Sequence, residues 1–196
     1  MRLERIRRRL TDHRPSLSEA DLGRSRAAVA LVLYEPAPEP PELLFIERAQ
    51  REGDPWSGQM AFPGGRWEPQ DRDLATTAAR ETQEEVGLGL GRAIARLDDF
   101  EGARASGRHQ VVVSPFVYAL EKRPDLFPNP EVNATVWVPL PSLLDPGSRR
   151  KYEFGPPGAG GPFESIFYDP YTIWGLTHRI LWNFFELLGV DRPEPA

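Results

Sequence analysis

A chain of 196 residues, 40% hydrophobic and 27% charged, has the balance of a globular protein with a full core rather than of a disordered one. The net charge of -5 argues against a nucleic-acid-binding surface, which needs a basic excess. No apolar run approaches the ~20 residues of a membrane span, and without cysteine there is no disulfide, thiolate metal site or cysteine nucleophile.

From the start of the chain, Leu3, Ile6 and Leu10 alternate with Arg5, Arg7, Arg8 and Arg9 at helical spacing, which predicts a helix over 3–12. This basic segment reads as a surface helix. An organelle-targeting role is the alternative, against which Glu4 and Asp12 count, so the expected location is the cytoplasm. Residues 27–33 (AAVALVL) and 43–46 read as buried strands around a Pro-rich loop. The Gly/Pro stretches 53–65 and 155–162 read as loops, and 74–86 as a helix with Asp73 as N-cap and Gly87 as stop. Strands follow at 93–98, 110–119 and 131–138, then a short helix at 139–144, short strands at 151–154 and 164–168, and an amphipathic helix over 173–188. No internal repeat interrupts the pattern, and one domain over 1–196 is expected: an α/β (mixed α+β) fold with a mixed sheet sandwiched between helices.

The chemistry concentrates in Arg80-Glu81-Thr82-Gln83-Glu84-Glu85-Val86-Gly87. On a helix Glu81, Glu84 and Glu85 share one face, and they sit in its last turn, at the negative end of the dipole. Each like-charge or dipole conflict costs about 1 kcal/mol or less. A bound Mg2+ or Mn2+ would relieve them, because hard cations take carboxylate oxygens, water and phosphate. The bland alternative is a solvated acidic face, partly neutralised by Arg80 at i+4 from Glu84.

In its context this run resembles the Nudix box. The segment Ala61-Phe62-Pro63-Gly64-Gly65 matches the strand and turn before it, and the box spans about 65–88. Thr82 stands where the family has an aliphatic residue, and the spacing from Gly65 to Arg80 is one residue longer than usual. Counting back from Arg80 puts the family's first Glu on Arg72, with Asp71 and Asp73 as unassigned substitutes. The segments LLFIER (43–48), SGQMAFPGG (57–65), SPFVYAL (114–120), EVNATVWVPL (131–140) and IWGLTHRIL (173–181) are similar to the coenzyme A pyrophosphatase branch, although Trp56 stands where that branch has His.

The resemblance implies a metal-dependent hydrolase of a pyrophosphate bond in a nucleoside diphosphate derivative. It implies Glu81, Glu85, Glu84 and the Gly65 carbonyl as ligands of Mg2+ or Mn2+, with Arg80 holding Glu84. The metal would neutralise the pyrophosphate, activate a water and stabilise the leaving phosphate. The general base is a box Glu such as Glu84 or a later one, Glu131 ahead of Glu101. Arg48 and Arg66 are expected on the substrate phosphates, since arginine meets phosphate bidentately, with Arg51 as a further cation and Gln59 lining the pocket. Phe62 reads as core. Trp56 reads either as a stacking platform for an adenine base or as a packing anchor.

His13 is expected on the surface, His178 in a structural setting, and His109 in a loop from which it could approach substrate; the three form no cluster. Ser114 and Ser165 lack a nucleophile's setting. The expected substrate is coenzyme A or an acyl ester, giving 3',5'-ADP and phosphopantetheine. The alternatives are ADP-ribose, a dinucleotide polyphosphate or a nucleoside triphosphate; a non-catalytic Nudix-like binding module and an isomerase rank below them. The partner is a small-molecule nucleotide, with no nucleic acid and no membrane, and monomer or homodimer stays open.

Overall fold

The computed structural model describes residues 1–18, 25–53, 56–102, 111–154 and 162–192. Among these the elements run α1 (Leu3–Leu10), β1 (Ser25–Tyr34), β2 (Glu42–Arg48), β3 (Met60–Ala61), β4 (Gly64–Arg66), α2 (Leu74–Val86), β5 (Ala95–Arg96), β6 (Phe100–Gly102), β7 (Val111–Leu120), β8 (Val132–Pro139), α3 (Leu140–Leu144), β9 (Arg149–Tyr152), β10 (Phe163–Tyr168), β11 (Tyr171–Trp174) and α4 (Gly175–Leu187).

The long apolar strands β1 and β7 pair in parallel over their whole length, from Ser25 opposite Val111 to Tyr34 opposite Leu120. Antiparallel β2 extends the sheet beyond β1, and β8 pairs with β2, so the sheet is mixed. Side chains alternate across β1. Ala27, Leu31 and Leu33 face a core completed by Ile6 and Leu10 of α1, Leu140 and Leu143 of α3, and Ile180, Leu181, Phe184 and Phe185 of α4. Ala28, Ala30 and Val32 face the opposite core, where Ala78 and Val86 of α2 pack. The sheet therefore lies between helices, as expected. A smaller antiparallel sheet, in the order β11-β10-β9, lies ahead of α4 in the chain.

Helix α2 covers the predicted residues. Asp73 caps it by accepting from the Thr76 N–H at 2.7 Å, and Gly87 ends it at φ 70°. Thr82 packs fully buried, its hydroxyl satisfied by the Ala78 carbonyl at 2.7 Å. This is how a hydroxyl is accommodated at a position that the sheet keeps dry.

Four expectations need correction. The stretch 53–65 is not all loop: β3 pairs with β2 and β4 with β1. At Gly64, φ is +151° and an added Cβ would lie 2.3 Å from the Ala28 carbonyl oxygen, so the glycine permits a close strand approach that composition reads as a break. The helix expected over 173–188 starts at Gly175, because Tyr171–Trp174 pairs with β10 across a two-residue turn at Asp169-Pro170. The first helix stops at Leu10, where the Thr11 hydroxyl bonds the Arg7 carbonyl at 2.9 Å. The strand expected over 93–98 is reduced to Ala95–Arg96. The loop expected over 155–162 falls outside the described residues except for Pro162.

Candidate active site

The carboxylates of α2 do not project as three equal arms. Glu85, 6% exposed, turns inward and accepts the Gly64 N–H on Oε2 at 2.8 Å. Glu81 lies against Gly65, where an added Cβ would stand 2.4 Å from its carboxyl carbon. Glu84 is exposed and bonds Arg80 at 3.1 Å, the predicted i, i+4 pair. Among the described residues no group of three acidic or histidine side chains already stands in metal-ligating geometry. The Arg80 guanidinium stands between two of the three, 3.0 Å from Glu81 and 3.1 Å from Glu84.

Arg80 is itself fixed from behind. Asp71, 5% exposed, receives its Nε at 2.9 Å and its Nη2 at 3.0 Å in a bidentate pair. Asp71 also accepts the Thr77 hydroxyl at 2.9 Å and the Glu68 N–H at 3.0 Å. Arg80 Nη2 reaches the Arg66 carbonyl at 2.9 Å, tying α2 to β4. The Arg80 hydrogen bond, with help from Glu68 and Thr77, holds the Asp71 carboxyl down to about 2. Asp73 is the helix cap. So of the two substitutes left open by the longer spacing, it is Asp71 that engages the box arginine. Counting in from Arg80 missed it because the extra residue shifts the register by one.

Burial pushes Glu81 upward, opposed by Arg80. Burial pushes Glu85 up to about 7; the Gly64 N–H and Arg48 oppose this, and Glu81 and Glu131 add to it. A divalent cation suits this donor set. Two partly desolvated carboxylates stand beside a glycine whose missing Cβ leaves room for Glu81, and all the donors are hard oxygens.

The raised Glu85 value gives a pH signature. Between 4.5 and about 7 the native state keeps a proton that the unfolded state has released, so stability falls as pH rises through that window and levels off above it. The loss is roughly 3 kcal/mol. His178 acts in the opposite sense: burial lowers it to about 4, so its contribution grows as pH rises from there to 6.5. We expect metal-free Glu85→Gln to gain stability over the parent protein on going from pH 5 to pH 8, measured by urea unfolding at both. A difference that does not change with pH would contradict the buried carboxylate.

Gly65→Ala offers a geometric check. Its methyl would displace the Glu81 carboxylate, so divalent-cation affinity should fall about tenfold or more while the α2 cap bonds survive. Calorimetric titration with Mg2+ or Mn2+ that gives unchanged affinity would show Glu81 to be no ligand.

Next to this helix lies a cleft of about 1170 Å³ whose lining includes Arg48, Arg51, Gln59, Gly65, Arg66 and Glu101. The expected substrate residues are thus brought together. Arg48 closes the 49–59 loop through its backbone, donating to Gln59 at 3.0 Å and accepting from Gly58 at 3.0 Å. Glu131 is exposed and bonds Arg51 at 2.8 Å. Trp56 stacks on Phe154 with ring centroids 6.0 Å apart.

Phe62 is core, stacked on Phe45. His178 is buried and accepts the Trp182 indole N–H at 2.9 Å, a structural role. His13 is half-buried rather than a surface residue, with Nε2 3.4 Å from Asp98, because the segment around Ser16 is strapped to Asp98 and Asp99. The Ser114 hydroxyl donates to Asp99 at 2.6 Å and that of Ser165 to the Arg150 carbonyl at 3.0 Å, neither a nucleophile's setting. His109 lies outside the described residues. Sequence reasoning missed Asp71 as the arginine's anchor and the Gly64 N–H as the donor to Glu85. The consecutive glycines ahead of the helix were the available signal for the latter.

A family model described as NUDIX domain matches residues 24–156. The chain is 33% identical over 167 residues to "Nudix hydrolase 22, chloroplastic" of Arabidopsis thaliana, a match covering 80% of this chain and 53% of that protein. It is 31% identical over 168 residues to "Mitochondrial coenzyme A diphosphatase NUDT8" of Homo sapiens, covering 79% of this chain and 66% of that protein. The chain thus spans about half the length of the plant relative. Among solved structures, a MutT/nudix family protein from Enterococcus faecalis aligns with a TM-score of 0.56 at 17% identity, over 87% of this chain and 64% of that one, and so shares the fold. No helix among the described residues is long and apolar enough to cross a membrane.

Proposed function

Because the chain belongs to the Nudix family, we propose that it hydrolyses the pyrophosphate bond of a nucleoside diphosphate derivative with Mg2+ or Mn2+, and that coenzyme A or an acyl ester is the substrate. The observation that carries this reading is the seating of Glu81 on Gly65 and of buried Glu85 on the Gly64 N–H, beside an arginine-lined cleft. The likeness to a relative named as a coenzyme A diphosphatase supports the choice of substrate.

In this reading Glu81, Glu85, Glu84 and the Gly65 carbonyl hold the cation. When bound, it neutralises the pyrophosphate and makes water a better nucleophile. Arg48 and Arg66 grip the phosphates, and Arg51, paired with Glu131 at 2.8 Å, adds a cation to the same wall. Gln59 orients the substrate from the same wall. Glu131 takes the proton from the attacking water; its charge is felt at Glu85. Arg80 keeps Glu81 and Glu84 in place through the contacts above. Little covalent chemistry falls to the protein, so positioning and electrostatics dominate.

The test is a product-resolved assay of the purified protein with coenzyme A, dephospho-coenzyme A, ADP-ribose and nucleoside triphosphates, with and without each metal. Metal-dependent release of 3',5'-ADP from coenzyme A is expected. Turnover of ADP-ribose or a triphosphate with no cleavage of coenzyme A would transfer the assignment to that substrate. No metal-dependent turnover of any of them would overturn the hydrolase reading.

A further inference from the structure

Resting on the reading of the substrate as a nucleoside diphosphate derivative, we propose that Trp56 and Phe154 form the slot that takes its purine base, with Trp174 as a fixed plate behind Phe154. The three residues come from separate parts of the chain: the 49–59 loop, the segment just after β9, and the end of β11. All three line the cleft that also holds Arg48, Arg51, Gly65 and Arg66. The cleft thus carries phosphate chemistry and an aromatic wall together.

The geometry of the rings selects a planar ligand. Phe154 and Phe163 meet Trp174 at 4.8 and 5.3 Å with tilts of 37° and 49°, ordinary angles for rings packed against one another. Trp56 and Phe154 are offset-stacked, their planes only 11° apart at a centroid separation of 6.0 Å. A stacked pair of this kind offers flat ring surface to the cleft, on which a third flat ring stacks at ~3.5 Å. A flexible aliphatic arm needs no such parallelism.

Trp174 is 7% exposed and held by several rings, so the plate is rigid, while Trp56 and Phe154 are half-buried and keep ring surface toward the cleft. Indole has one N–H donor and no charge, so Trp56 recognises by its face rather than by gripping phosphate. Stacking reads every base, which makes the slot a determinant of affinity for the nucleotide half of the substrate.

The test measures binding separately from hydrolysis. Calorimetry in metal-free buffer follows ADP as the nucleotide half and 4'-phosphopantetheine as the other half. Trp56→Ala and Phe154→Ala should each weaken ADP about tenfold or more and leave phosphopantetheine within about twofold. Trp56→Phe should restore most of the ADP affinity, and Trp56→Leu, which keeps apolar bulk without a ring, should not. Thermal unfolding of each variant identifies any loss of fold, and the Phe and Leu pair decides the matter if Trp56→Ala is unstable. Unchanged ADP affinity in both alanine variants, equal losses for both ligands, a loss confined to phosphopantetheine, or no ADP binding by the parent protein would each overturn the slot. ADP binding that depends on Trp56 without hydrolysis of any substrate would keep the slot and remove the hydrolase reading. Normal hydrolysis with an unchanged KM in Trp56→Ala would do the reverse.

Discussion

Glu85→Gln is expected to lower kcat about a thousandfold with the fold intact. Glutamine is close in shape to glutamate, and its side-chain oxygen can still accept the Gly64 N–H that Glu85 accepts at 2.8 Å. What disappears is a charge in a site only 6% exposed to solvent, where electrostatic interactions are weakly screened. Glu81→Gln should cost a similar amount, since the Glu81 carboxylate stands against Gly65 on the same side of the helix. Steady-state rates at saturating substrate, with metal titrated at each point, separate lost affinity from lost chemistry. If either variant retains more than about a tenth of parental kcat at saturating metal, that residue is not a ligand of the working ion. Glu84→Gln provides the contrast. Glu84 is exposed and engaged with Arg80, so its loss should be milder.

Asp71→Asn should produce the largest loss of stability, about 3 kcal/mol, or roughly 10 °C in Tm. The carboxylate is buried and binds Arg80 through both oxygens. Asparagine offers one oxygen and turns its NH2 toward the same guanidinium, so the bidentate pair is lost in a largely buried position and Glu81 and Glu84 are left as the only carboxylates on Arg80 among the described residues. Arg80 would then be free to draw Glu81 and Glu84 out of place, so activity should fall together with stability. The neighbouring Asp73→Ala, which removes only the helix cap, should cost about 1 kcal/mol and little activity. Thermal melts of the two variants side by side test the assignment. An Asp73 variant as damaging as the Asp71 one would mean that the cap, not the buried pair, holds the box in place.

These residues also show where sequence reading succeeds and where it stops. Helix α2 was legible from end to end because its signals are local: a cap residue, a stop glycine and carboxylates at i, i+3 and i+4. The cations of the cleft were legible by type, since arginine is the side chain suited to phosphate. Asp71 was legible only as one of two acidic candidates beside Asp73, because the choice depends on a partner nine residues on and on burial, neither of which spacing reveals. Ile173 and Trp174 read as helix because a strand running straight into a helix leaves one continuous apolar stretch. The aromatic wall of Trp56, Phe154 and Trp174 was out of reach for a similar reason. Its rings are brought together by tertiary folding, and only Trp56 drew notice.

The parallel pairing of β1 with β7 bears on how the site comes into being. Parallel neighbours cannot be joined by a tight turn, and here the connection from Tyr34 to Val111 contains β2, β4 and α2, so the box helix lies inside the loop that this pairing closes. Long-range closure of this kind is entropically slow. The pairing of β4 with β1 positions the Gly64 amide for Glu85, so burial of the carboxylate depends on tertiary contacts and not on the helix alone. A nascent or truncated chain ending before β7 would carry every residue of the motif and still lack the strand that pairs with β1 over its whole length. Competence to bind the ion therefore belongs to the folded sheet and not to the motif peptide.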